Sequence, residues 1–275
     1  MRISFPRRNK PAPEPVPVPE ETPVDDGHAI RMGLFEHLNE LRQRLTRAFL
    51  ALIVATLLGI FLAGNFFEFL LDPYCRVSQS TDCRLQTLGP TESVVSYFRV
   101  ALMFGGVVAV PAITYQILMF ILPGLTTRER RFIIFSIPAI ALLFVVGALF
   151  AWYLLMPPAL GFLESFQPTI FKPDWTADLY LSFVTALVFW MGVAFETPLV
   201  FFVLSLLGFV RARVLARNWR LAVVGASIAA AFITPTIDPV NMFLVMAPLL
   251  GLYTLSIILV AIGTRIGGHH LVDAS

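Results

Sequence analysis

The sequence predicts an all-α polytopic membrane protein with six transmembrane helices and both termini on the cytoplasmic side. Three observations carry this expectation. The 275 residues are 57% hydrophobic and only 14% charged, where soluble domains are about one-quarter charged. Six apolar runs occupy approximately 46–65, 98–122, 132–157, 178–207, 219–234 and 241–263. The chain's 20 Lys and Arg are unevenly shared between the segments that separate those runs.

Residues 1–30 contain "KPAPEPVPVPEETPVDDG", rich in Pro and acids with little to bury, and read as a disordered cytoplasmic tail. No cleavable signal peptide is expected, because the first apolar run begins only near residue 48 and exceeds a signal core of ~7–15 residues. Arg7 and Arg8 are adjacent, but no apolar run follows them closely. The membrane domain is expected at 31–265, with a short cytoplasmic tail at 266–275.

Most of the apolar runs supply the ~20 residues needed to cross a ~30 Å hydrocarbon core. The fifth is short: its uncharged stretch from Leu221 to Pro235 would rise only about 22 Å as a helix. Local thinning of the bilayer or packing inside a bundle accommodates such a mismatch. Pro111, Pro138, Pro198 and Pro248 fall inside apolar runs and predict bends.

Orientation follows from the basic residues. With the N-terminus inside, Arg2, Arg7, Arg8, Lys10, Arg31, Arg42, Arg44 and Arg47 precede span 1. Arg128, Arg130 and Arg131 fall between spans 2 and 3, Arg211, Arg213, Arg217 and Arg220 between spans 4 and 5, and Arg265 after span 6. Only Arg76, Arg84, Arg99 and Lys172 remain outside. Cys75 and Cys83 share the first external segment in "CRVSQSTDC", where they form either a local disulfide or two free thiols.

Four constellations are candidates for function. In "LFEHLNELRQRLTR" (34–47) Leu34, Leu38, Leu41 and Leu45 form an apolar stripe, with Glu36, Glu40, Arg44 and Arg47 on another face. Glu40 is either half of an i,i+4 surface pair with Arg44 or a carboxylate offered to a cationic ligand. In "GLTTRERRF" (124–132) Thr126 and Glu129 fit a capping box, and Glu129 is otherwise a second acid at the cytoplasmic surface. Glu196 in "WMGVAFETPLV" is the one ionisable residue well inside an apolar span. A charge there costs ~2.5–3.5 kcal/mol, so it is neutral, paired, or turned to a polar spot. Asp238, before Pro239 in "FITPTIDPVNMF", suits a tight turn at the outer edge.

Enzyme classes find little support. The sequence contains no G-x-x-x-x-G-K-[ST], H-E-x-x-H or G-x-S-x-G, and two cysteines rule out a four-Cys zinc site. A net charge of +2 gives no reason to expect nucleic acid. An ion-coupled solute transporter needs several convergent polar groups at the midplane, and only Glu196 is on offer.

Four segments in order, "HLNELRQRL" (37–45), "YQILMFILPGLTTRERR" (115–131), "FETPL" (195–199) and "TP…DP" (234–239), resemble the TatC family of twin-arginine translocase receptors. The resemblance covers about residues 34–263. It implies a curved, glove-like bundle with short fifth and sixth helices in the cytoplasmic (inner) membrane. It implies a receptor and scaffold, with no enzymatic activity and no cofactor. Such a subunit binds Arg-Arg signal peptides of folded precursors, recruits TatA/TatB-like single-span subunits, assembles as a homo-oligomer with them among membrane lipids, and exports by the proton-motive force.

By residue, the resemblance implies that Glu40 and Glu129, with Arg42 and Phe120, form the signal-peptide patch. Glu196 matches the family's intramembrane partner-contact acid, and Asp238 the acid of its external turn. Three departures touch the last two spans: Met242 stands where the family places Gln, Thr254 where it often has Glu, and "TPTIDP" is one residue longer than the usual turn.

Overall fold

Hydrocarbon offers a peptide group no hydrogen-bond partner, so each apolar run satisfies its own N–H and C=O groups by becoming a helix. The computed structural model describes residues 34–77, 84–121, 127–167, 169–170, 175–206, 208–234 and 238–267. The helices are α1 (Leu34–Val77), α2 (Glu92–Ile121), α3 (Thr127–Phe150), α4 (Met156–Ser165), α5 (Ala177–Leu206), α6 (Ala212–Arg217), α7 (Trp219–Ile233) and α8 (Pro239–Gly267). Among the described residues the only β pairing is one isolated parallel bridge, Gln86 to Thr176. The chain divides into two units, Met1–Asn39 and Glu40–Ser275; the packing that follows is that of the second. The tail expected at 1–30 lies outside the described residues, as do positions 268–275.

Among the described residues five segments are long and apolar enough to cross a membrane: α1, α2, α3 with α4, α5 and α8. The sixth apolar helix, α7, has 15 residues. The resemblance implied that both of the last two helices are short, and α8 departs from that with 29 residues. Its length follows from the run 241–263, which carries no charge before Arg265.

The third span shows a feature absent from the sequence reading. A π-helical turn, Ala151–Leu155, ends one residue short of Pro157 and Pro158. Two consecutive prolines withdraw two backbone donors, and widening the preceding turn relieves the ring clash without breaking the helix. The other intrahelical prolines, Pro73, Pro111, Pro138, Pro198 and Pro248, lie within continuous helices.

The core forms around α5, which packs most extensively on α8 and α3 and then on α2. After Asp178 the only acidic or basic residue of α5 is Glu196, so this helix can be buried on several sides. Tyr180, Phe183, Val184, Leu187 and Met191 are fully buried there, against Leu70, Val100, Trp152 and Val245 from its neighbours. α1 and α2 cross through small residues: a Cβ on Gly105 would lie 2.6 Å from the Thr56 Cα, and one on Gly59 would lie 2.5 Å from the Ala101 carbonyl oxygen. The Tyr97 hydroxyl donates to the Ile60 carbonyl at 2.6 Å and pins the same crossing. Large apolar side chains elsewhere face outward, with Phe61 at 87% exposure, as lipid-facing residues do.

At the end of the unit where α2 and α5 begin, polar side chains knit the connections together. Glu92 accepts from the Asp178 amide at 2.9 Å through one oxygen and from the Leu88 amide at 2.7 Å through the other. Arg99 donates to the Asp178 carboxylate at 2.6 Å. Gln86 accepts from the Ala177 amide at 2.8 Å, and the Trp175 indole donates to Glu164 at 3.1 Å.

Candidate functional site

Heights along the α1–α2 crossing locate the first group of residues. Thr56 faces Gly105, and Glu40 and Phe120 lie sixteen and fifteen residues from those positions toward the same end. With a rise of ~1.5 Å per residue, both sit about 23 Å from the crossing, at matching heights. α3 packs against α2 and begins at Thr127, so Glu129 in its first turn is carried to that end as well. The Glu129 side chain and Thr126 lie outside the described residues, so the expected capping box is not placed.

Glu40 is held by the i,i+4 geometry anticipated for it. The Arg44 Nε donates to Glu40 Oε1 at 2.8 Å, and the Arg44 Nη2 reaches the same oxygen. The other oxygen, Oε2, is buried and has no hydrogen-bond partner among the described residues. A buried carboxylate oxygen without a donor is costly, and an incoming N–H group would relieve it. Arg42 is exposed on the next face of α1, and Phe120 is half-buried near the end of α2.

Glu196 lies on α5 about 15 Å from the helix end at Leu206. It is half-buried, and its Oε1 is enclosed without a partner among the described residues. A groove of about 500 Å³ runs between α1, α2 and α5, lined by Leu52, Leu102, Met103, Thr185 and Phe189 with Arg99 at one end. Glu196 follows Phe189 by seven residues, two helical turns along the same face of α5. The groove and Glu196 therefore share one stripe of that helix.

Asp238 caps α8. Its Oδ1 accepts from the Asn241 amide at 2.7 Å, and its Oδ2 accepts from the Asn241 side-chain amide at 3.1 Å. Asn241 is 1% exposed and its Oδ1 has no partner among the described residues. Met242 packs against the core, and the Thr254 hydroxyl donates to the Leu250 carbonyl at 2.9 Å, so neither holds a polar site open. Cys75 is half-buried at the end of α1, whereas Cys83 lies outside the described residues and with it the pairing of the two.

The structure thus gathers Glu40, Arg42, Phe120 and the first turn of α3 at one end, with Glu196 between the ends and Asp238 at the opposite one. The sequence reading missed the Glu92–Asp178–Arg99 network and the burial of Asn241. A capping signal existed in both places: acids in the first turns of α2 and α5, and Asp238 three residues before Asn241.

The family described as "Sec-independent protein translocase protein (TatC)" matches residues 36–248. The "Sec-independent protein translocase protein TatC" of Synechocystis sp. is 38% identical over 234 residues, covering 85% of this chain and 88% of that protein. The protein of the same name from Aquifex aeolicus is 36% identical over 236 residues, covering 85% and 97%. Among solved structures, the "Twin Arginine Translocase Receptor- TatC" superposes with a TM-score of 0.76 at 36% identity, over 84% of this chain and all (100%) of that one.

Proposed function

Because this chain belongs to the TatC family of Sec-independent protein translocase proteins, we propose that it is the receptor and scaffold subunit of a twin-arginine translocase and not an enzyme. Its ligand is the Arg-Arg signal peptide of a folded precursor. Glu40 and Glu129 receive the two guanidinium groups, and Arg42 and Phe120 complete the patch. The observation that carries this reading is the Glu40 carboxylate: Arg44 holds one oxygen, while the second is buried and lacks a donor.

The chemistry suits arginine in particular. A guanidinium presents a planar fork that meets a carboxylate through two parallel bonds, whereas lysine offers a single compact charge. Two carboxylates at one end of the bundle then account for a demand for two arginines. In this reading Arg44 fixes the Glu40 rotamer, so that Oε2 is already aimed when the peptide arrives.

The patch faces the cytoplasm, with both termini inside and the protein in the inner membrane, as the distribution of Lys and Arg supports. Residues 1–30 and 266–275 are cytoplasmic tails to the membrane domain 31–265. Glu196 offers an intramembrane polar contact to the hairpinned signal or to TatA/TatB-like single-span subunits, which assemble with copies of this chain. Asp238 shapes the external turn, and Cys75 and Cys83 pair on the oxidising face. Export is powered by the proton-motive force. The groove two helical turns from Glu196 is lined mainly by apolar side chains, which speaks against a hydrated solute pathway.

The test is photocrosslinking to an Arg-Arg signal peptide in membranes. The Glu40→Ala, Glu129→Ala double variant should insert normally and lose the crosslink. An unchanged crosslink would sink the receptor reading.

A further inference from the structure

Arg211, Arg213, Arg217 and Arg220 lie on or beside α6, and all four are exposed. No acidic residue occurs anywhere between Thr197 and Ile237. Among the described residues the ion pairs are Arg44–Glu40, Arg76–Asp72 and Arg99–Asp178, none of which involves this cluster. Arg220 instead stacks over the Trp219 ring at 5.9 Å. Beside the arginines, Phe209, Val214, Trp219 and Leu221 are also exposed.

The depth of this cluster is unusual for a connecting segment. The Tyr253 hydroxyl donates to the Leu215 carbonyl at 2.7 Å, which docks α6 against the middle residue of α8. The end of α5 lies elsewhere, because Ser205 abuts Gly263. From Gly263 back to Tyr253 is about 15 Å along the α8 axis. The Phe209 amide still donates to the Leu204 carbonyl at 3.0 Å, so Arg211 starts near the level where α5 ends, and the chain then doubles back to carry Leu215, Arg217 and Arg220 toward the level of Tyr253. Between those two levels both helices are apolar: Thr197–Leu206 and Thr254–Thr264 contain no charged residue. The α5–α8 pair calls for acyl chains at a depth where α6 presents unpaired guanidinium groups.

One class of molecule satisfies both demands. We propose that α6 and its flanking arginines form a binding site for anionic phospholipids of the adjoining leaflet. The phosphodiester oxygens meet the guanidinium forks between the end of α5 and the level of Tyr253. The acyl chains cover Val214, Trp219 and Leu221. Arginine suits this task because its planar donors bind phosphate through paired hydrogen bonds. The site shares no residue with the signal-peptide patch, so the two assignments succeed or fail separately.

The experiment is native mass spectrometry of the full chain released from micelles doped with phosphatidylglycerol or with phosphatidylcholine. The parent should retain phosphatidylglycerol in preference to phosphatidylcholine. The Arg211→Gln, Arg213→Gln, Arg217→Gln, Arg220→Gln variant should lose that preference, with a several-fold drop in bound phosphatidylglycerol. The corresponding four-lysine variant should keep part of it, since charge survives and the fork does not. Equal retention by parent and glutamine variant would overturn the proposal, as would displacement of the lipid by millimolar inorganic phosphate, which marks a soluble-anion site. If the quadruple variant does not accumulate, Arg211→Gln/Arg213→Gln and Arg217→Gln/Arg220→Gln decide on the same readout.

Discussion

Single residues in this protein earn their roles through the partners they lack as much as through those they have. Glu40 and Asn241 each combine a satisfied polar atom with a buried one that has no partner among the described residues. Asp238 is different, because both of its oxygens are engaged in capping α8. Its first task is therefore structural. Asp238→Ala should lower thermal stability in detergent by about 1 kcal/mol, and Asp238→Ser should recover most of the loss. An alanine variant as stable as the parent would remove the cap from the account. At this scale the sequence was informative wherever a residue contradicted its surroundings. Glu196 stood out because a carboxyl group in an apolar run has few explanations. Glu92 did not, because its partner Asp178 lies 86 positions away and nothing local announces the pairing.

At the scale of elements, close approach decides the architecture. The α1–α2 crossing works because Gly105 has no side chain where the Thr56 backbone passes. Gly105→Ala should push the helices apart and cost about 1–3 kcal/mol, as overpacking does. Gly64→Ala, at a position with open space around it, should be nearly neutral by the same melting measurement. Helix existence was legible from the apolar runs, since hydropathy reports the environment directly. Helix extent was less so. α1 continues to Val77, past the apolar run that ends near 65, because Glu68 and Asp72 alternate with Phe66, Phe67, Leu70 and Tyr74, which pack on the core. The π turn in the third span escaped notice because a proline pair signals a disturbance without saying whether the helix bends, breaks or widens.

For the whole molecule, orientation is the property most open to direct measurement. In a Cys75→Ser, Cys83→Ser background, Thr87→Cys should react with a membrane-impermeant thiol reagent on intact cells, and Ser275→Cys only after lysis. The reverse pattern would invert the topology inferred from the basic residues. Counting Lys and Arg by segment assigns sides but not depth, which is why the position of α6 beside Tyr253 was not legible before the structure placed it. The arrangement around α5 carries one more consequence. This helix packs most extensively on α8, which is synthesised after it. During synthesis α5 enters the bilayer beside α2 and α3 with one flank still bare. The packing around α5 waits for α8, and until then lipid or a chaperone must occupy its place.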